Sequence, residues 1–129
     1  MKLLIDTHVF LWLRNSPDKI PNSVLQLYQN SSQDVFLSMA SIWEMQIKNQ
    51  LGKLDLDLPL SELVEQQCLE NGLQTLNIEA NHIYALQDLP FHHNDPFDRL
   101  IISQAQIESL KLVSADTTFD NYDVDLIWK

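Results

Sequence analysis

Short apolar runs of strand length alternate with longer stretches of helical periodicity along this chain. That alternation restricts it to parallel βαβ units with helices on both faces of a sheet. Residues 2–5, 34–38, 73–78, 112–114 and 124–128 read as strands. Residues 7–14, 21–31, 41–51, 80–86 and 95–110 read as helices, and Pro59 opens another that Asn71-Gly72 stops. Residues 54–58 alternate apolar and acidic side chains and could be extended. The expected architecture is a three-layer α/β/α sandwich around a mostly parallel sheet of four or five strands.

Chain length and punctuation predict a single domain over residues 1–129. Proline and glycine are few, at 5 and 2, and neither a linker nor a repeat is visible. Residues 1–13 are largely apolar, but Asp6 and His8 interrupt them and no small-residue cleavage site follows. No window reaches the ~18 apolar residues of a membrane span. A cytoplasmic protein without membrane attachment is expected. Cys68 is the only cysteine, which removes a disulfide framework and a thiolate metal site.

Four acids share one local setting. Asp6, Glu44, Asp98 and Asp116 each stand at or shortly beyond a predicted strand end, or in the first turns of a helix. In an open α/β sheet the carboxyl ends of the strands share one edge, where ligands bind. Gathered carboxylates repel, and a hard divalent cation such as Mg²⁺ or Mn²⁺ relieves the repulsion. Such a cation on an α/β scaffold points to phosphodiester chemistry.

Each acid also has a plainer reading. Asp6 can cap the helix that starts at Thr7. Ser41-Ile42-Trp43-Glu44 matches a capping box, and Glu44 can pair with Lys48 one turn on. Asp95 before Pro96 makes a good helix start, Asp98 lies where the helix dipole favours an acid, and Asp116 can cap Thr117-Thr118. Asp95 and Asp120 are candidates for supporting the metal ligands rather than binding metal. Four acids gathered at one edge outweigh the half-charge that each helix terminus offers.

Other chemistries are disfavoured. His92-His93 lacks the helical i, i+4 spacing of a zinc pair, and His8 reads as packed or exposed. With only Gly52 and Gly72, neither a phosphate-binding P-loop nor a dinucleotide fingerprint exists. The net charge of −10 argues against a broad basic face for nucleic acid and suits a basic partner. Arg14, Lys48, Lys53 and Arg99 are the cations that could touch a nucleic-acid substrate near a pocket mouth.

Leu4-Ile5-Asp6-Thr7-His8, then Ser38-Met39-Ala40-Ser41-Ile42-Trp43-Glu44-Met45-Gln46-Ile47-Lys48, then Leu51-Gly52-Lys53-Leu54 resemble the front half of a PIN domain. Asn94-Asp95-Pro96-Phe97-Asp98-Arg99-Leu100-Ile101-Ile102-Ser103-Gln104-Ala105 and Leu112-Val113-Ser114-Ala115-Asp116 resemble its back half. The subgroup most similar is the VapC-like toxins of bacterial type II toxin–antitoxin modules. The resemblance implies a Mg²⁺- or Mn²⁺-dependent endoribonuclease that hydrolyses RNA phosphodiester bonds. Asp6, Glu44, Asp98 and Asp116 match the family's four acidic positions, as metal-binding and catalytic residues. The family often carries Asn where this chain has His8. A homodimer, neutralised by a small antitoxin protein, is also implied.

Two other readings remain open at this level. One is a different metal-dependent phosphohydrolase; the other is a non-catalytic α/β binding module whose acids only cap helices. The nearly all-round apolar first helix, with Leu25 and Tyr28 of the second, is a candidate dimer or antitoxin surface; burial in the core is the alternative.

Overall fold

Leu3, Leu4 and Ile5 are each at most 2% exposed, although successive strand side chains point to opposite faces. Both faces of β1 (Lys2–Ile5) are therefore covered, as in a central parallel strand. The computed structural model describes residues 1–30 and 32–128. In it β1 pairs in parallel with β2 (Asp34–Ser38) and with β4 (Lys111–Val113). The edges are β3 (Gln74–Leu76) and β5 (Leu126–Ile127), giving the order β3-β2-β1-β4-β5, all parallel.

The helices are α1 (Thr7–Asn15), α2 (Asn22–Gln29), α3 (Met39–Gln50), α4 (Leu60–Asn71), α5 (Ala80–Tyr84) and α6 (Pro96–Glu108). Leu3, Ile5, Val35 and Leu37 face one apolar cluster, with Val9, Phe10, Val24, Met45 and Leu60 from α1 to α4. Leu4 and Leu112 face the other, with Ile101, Ile102 and Ala105 of α6. This alternation makes the three layers. Among the described residues no helix is long and apolar enough to cross a membrane.

Several expected boundaries shift for identifiable reasons. The α3 helix starts at Met39, and its N-cap is Ser38, whose hydroxyl accepts the Ala40 N–H at 3.0 Å. Ser41 is thus inside the helix, and the capping box with Glu44 does not form. The third strand covers less than 73–78 because its ladder partner β2 ends at Ser38, opposite Leu76. Residues 54–58 form no strand; Leu54 and Leu56 instead pack against the first cluster. The expected end of α2 at Ser31 lies outside the described residues. Tyr28 is buried and donates to Gln67 Oε1 at 2.7 Å, so it forms no open surface.

The order 3-2-1-4-5 positions the site. The chain moves outward from β1 to β2 and β3, then returns to lay β4 on the opposite side of β1. Between β1 and β4 the helices leave in opposite directions, and a crevice opens outside the carboxyl ends of both strands.

Candidate active site

Asp6 is the first residue beyond β1 and the N-cap of α1. Its Oδ1 accepts the Val9 N–H at 2.8 Å, and its Oδ2 accepts the hydroxyl of Ser114. The Ser114 oxygen in turn accepts the Asp116 N–H at 3.0 Å. One buried hydroxyl just past β4 thus ties the ends of the two central strands together.

Glu44 reaches the same edge from the second turn of α3 and is 4% exposed. Thr7 Oγ1 donates to its Oε1 at 2.7 Å, and Lys48 Nζ donates to its Oε2 at 2.8 Å. The ion pair expected from the i, i+4 spacing is present. The helix-capping role is not, because Glu44 is bound by α1. Trp43 meets Phe97 edge-on at 5.3 Å, which packs α3 against α6 beside Glu44 and Asp98.

Asp98 stands in the first turn of α6, which Asp95 caps by accepting the Phe97 and Asp98 N–H groups at 2.8 and 3.2 Å. Asp116 caps the 3-10 turn Thr117–Asn121, accepting the Thr118 N–H at 2.9 Å. His93 Nε2 lies 3.1 Å from Asp98 Oδ2 and 3.0 Å from Asp116 Oδ2. The three ligand atoms lie within 4.8 Å of one another, a grouping that could hold a metal ion.

Protonation shows that the acids share one electrostatic environment. Burial raises Asp6 above the ordinary carboxylate range; Ser114, the Val9 N–H and His8 oppose this, and Asp116 adds to it. Asp98 is pushed up to about 7, by burial first, then by the charge of Asp95, with Glu44 and Asp6 contributing and His93 opposing. Asp116 is also pushed up by burial, but the Thr118 N–H, His93 and the Thr118 hydroxyl outweigh it and hold the group low. Lys48 is raised by its bond to Glu44 and by the charges of Asp95 and Asp98.

The donor set fits a hard divalent cation. Asp98 and Asp116 present oxygens within 4.8 Å of each other, Asp6 is tied to Asp116 through Ser114, and Glu44 is tied to Thr7 beside Asp6; Lys48, His93 and His8 partly offset the charge.

Other sequence candidates fall elsewhere. Asp95 spends Oδ1 on its helix cap. Asp120 is exposed, and no hydrogen bond or ion pair joins it to the four acids among the described residues. Arg99, a sequence candidate for RNA contact, is 6% exposed and points inward. Its guanidinium donates to the carbonyls of Leu86, Leu89, Pro90 and His93. Arg14 pairs with Asp57 at 2.8 Å. Lys53 is exposed, and Lys48 is half-exposed beside Glu44.

Sequence reasoning passed over Thr7, Ser114 and His93. Thr7 and Ser114 carry a weak signal, a small hydroxyl adjacent to Asp6 and two residues before Asp116. In sequence His93 offers only half of a zinc pair that lacks the right spacing. Its neighbour His92 turns away and packs edge-on against Tyr122 at 5.2 Å. His8 is exposed and lies beside Trp12, ring centroids 5.9 Å apart.

A family model described as PIN domain matches residues 3–125. No curated protein matches the sequence. Among solved structures, VapBC2 from Rickettsia felis, bound to a DNA fragment from its promoter, is similar with a TM-score of 0.74 at 18% identity. That match covers 100% of both chains. FitAcB from Neisseria gonorrhoeae gives 0.65 at 20% identity, covering 98% of this chain and 96% of that one. A toxin–antitoxin complex from Klebsiella pneumoniae gives 0.65 at 15% identity, with 97% and 95% coverage. These likenesses concern the fold.

Proposed function

From the premise that the chain belongs to the PIN domain family, we propose that it is a metal-dependent endoribonuclease and the toxin of a toxin–antitoxin pair. The reading rests above all on one observation. Asp6, Glu44, Asp98 and Asp116 come from four separate elements and are linked through Ser114, Thr7 and His93: Ser114 joins Asp6 to Asp116, Thr7 beside Asp6 bonds Glu44, and His93 Nε2 lies within 3.1 Å of Asp98 and Asp116.

Asp6, Asp98 and Asp116 would hold Mg²⁺ or Mn²⁺, with Glu44 binding a second ion or orienting water. A bound divalent ion supplies Lewis-acid polarisation of the phosphate and a water of lowered pKa. The chain's own residues do the rest. Ser114 holds Asp6 in register with Asp116, so the acids keep their spacing without rearrangement. Thr7 and Lys48 pin both oxygens of Glu44, leaving one lone pair on each for a water. In hydrolysis that water adds to phosphorus in line with the departing ribose 3′ oxygen.

Substrate contact falls to Lys48 and Lys53, a small cationic surface for a chain of charge −10. That suits a short single-stranded target, whose unstacked bases are the usual object of sequence-specific reading. It also suits a basic antitoxin segment laid across the acidic site. The similar Rickettsia felis protein is seen bound to a promoter DNA fragment, and the Klebsiella pneumoniae one in a toxin–antitoxin complex. The chain is taken to act as one domain, as a homodimer.

The test is cleavage of an RNA pool by the purified protein, with Mg²⁺ or with EDTA, beside Asp6→Asn. Internal cuts that need metal and vanish in the variant are expected. Equal cleavage by folded Asp6→Asn sinks the reading. Hydrolysis of small phosphate esters without RNA cutting would favour another phosphohydrolase, and a monomer by light scattering at micromolar concentration removes the dimer.

A further inference from the structure

We infer that His93 is a positioning residue for the acidic centre: its Nε2–H holds Asp98 and Asp116 together as the pair that faces a bound cation. The inference rests on the metal-dependent reading above. The geometry decides which way the imidazole acts. The backbone N–H of Asp95 points at His93 Nδ1, 3.3 Å away, so Nδ1 is an acceptor there. A neutral ring with an accepting Nδ1 carries its proton on Nε2. A protonated Nε2 has no lone pair for a metal. It donates instead to Asp116 Oδ2 at 3.0 Å, and Asp98 Oδ2 lies 3.1 Å from the same nitrogen.

The ring is held there from several sides. It stacks on Phe119, with centroids 5.5 Å apart. The His93 N–H donates to Tyr122 Oη at 2.7 Å, and Tyr122 donates onward to the Pro90 carbonyl at 2.8 Å. Arg99, buried on α6, donates to Pro90 and His93 carbonyls of the same loop. Tying down a loop this thoroughly makes sense if its one side chain in the site must keep a fixed place. Asp98 and Asp116 come from different elements, α6 and the segment beyond β4, and His93 Nε2 lies within 3.1 Å of a carboxylate oxygen of each.

Partners that orient metal-binding side chains typically contribute ~10- to 100-fold to metal affinity. The test is Mn²⁺ titration by calorimetry on wild type, His93→Ala and His93→Gln, each checked for folding by circular dichroism. Gln presents an N–H near the Nε2 position and no imidazole. A loss of ~10- to 100-fold in His93→Ala, largely restored in His93→Gln, is expected. Mn²⁺ binding as tight or tighter in folded His93→Ala overturns the inference while leaving the proposed function intact. Loss in both variants alike also overturns it, since the imidazole itself would then be required. No Mn²⁺ binding by wild type removes the metal reading, and this inference with it.

Discussion

Thr7 Oγ1 donates to Glu44 Oε1 at 2.7 Å, joining the first turn of α1 to the second turn of α3 inside the protein. Thr7 follows Asp6 directly, so the bond fixes two of the four acids relative to each other. It also leaves Glu44 with no part in capping its own helix. The acid is held by a distant hydroxyl on one oxygen and a neighbouring ammonium on the other.

Thr7→Val keeps the shape of the side chain and removes the donor. A buried carboxylate oxygen then loses its partner, which costs ~1–3 kcal/mol. Urea unfolding should show a lower midpoint with an unchanged slope, and Thr7→Ser should recover most of it. An unchanged midpoint in Thr7→Val would mean the bond adds nothing.

Asp98→Asn should change how stability depends on pH in metal-free buffer with EDTA. Asp98 is raised to about 7 in the folded protein from 3.8. A carboxyl raised on folding favours its neutral form, so its contribution is full below about pH 4 and lost as pH climbs through about 7. Asn is neutral throughout and escapes that loss. The variant should match wild type near pH 4 and melt several degrees higher near pH 8. A constant difference across that range would contradict the burial-driven shift.

Mn²⁺ should raise the melting temperature of wild type, because a ligand of the native state stabilises it, by ~2.7 kcal/mol at a hundred times Kd. Metal and proton compete for Asp6 and Asp98, both raised by burial. The melting shift should therefore be larger at pH 8 than at pH 5.5, and EDTA should reverse it. A pH-independent shift would place the ion elsewhere.

Arg99→Lys tests the inward-pointing guanidinium. Arg99 serves four carbonyls between Leu86 and His93 through two terminal nitrogens, and the centre of the Phe91 ring lies 3.9 Å from its guanidinium carbon. An ammonium is a more compact donor and cannot reproduce that fork. The variant should lose ~1–3 kcal/mol in urea unfolding as buried carbonyls go unpaired. If Arg99 touched RNA instead, the substitution would weaken RNA binding with no loss of stability.

Local physics made much of this protein readable in advance. The strand at Lys2–Ile5, the helix from Thr7, the Asp95-Pro96 helix start and the stop at Gly72, with φ +69°, all follow from neighbouring residues. The positions of Asp6 and Asp116 just beyond β1 and β4 follow in the same way, since the carboxyl ends of parallel strands share one edge. Ser41 shows the limit: it fits a capping box in sequence, yet Ser38 caps the helix because β2 delivers the chain there.

The amino-acid order determined the α/β layering and placed Asp6, Asp98 and Asp116 at ends of elements and Glu44 in the second turn of a helix, because periodicity and capping act over a few residues. Only the tertiary structure decided that Ser114 bonds Asp6 from 108 residues away, that Arg99 turns inward, and that His93 rather than His92 stands between two acids. Those outcomes depend on which strands become neighbours and on which polar groups are left needing partners once both faces of the sheet are covered. No stretch of neighbouring residues carries that information.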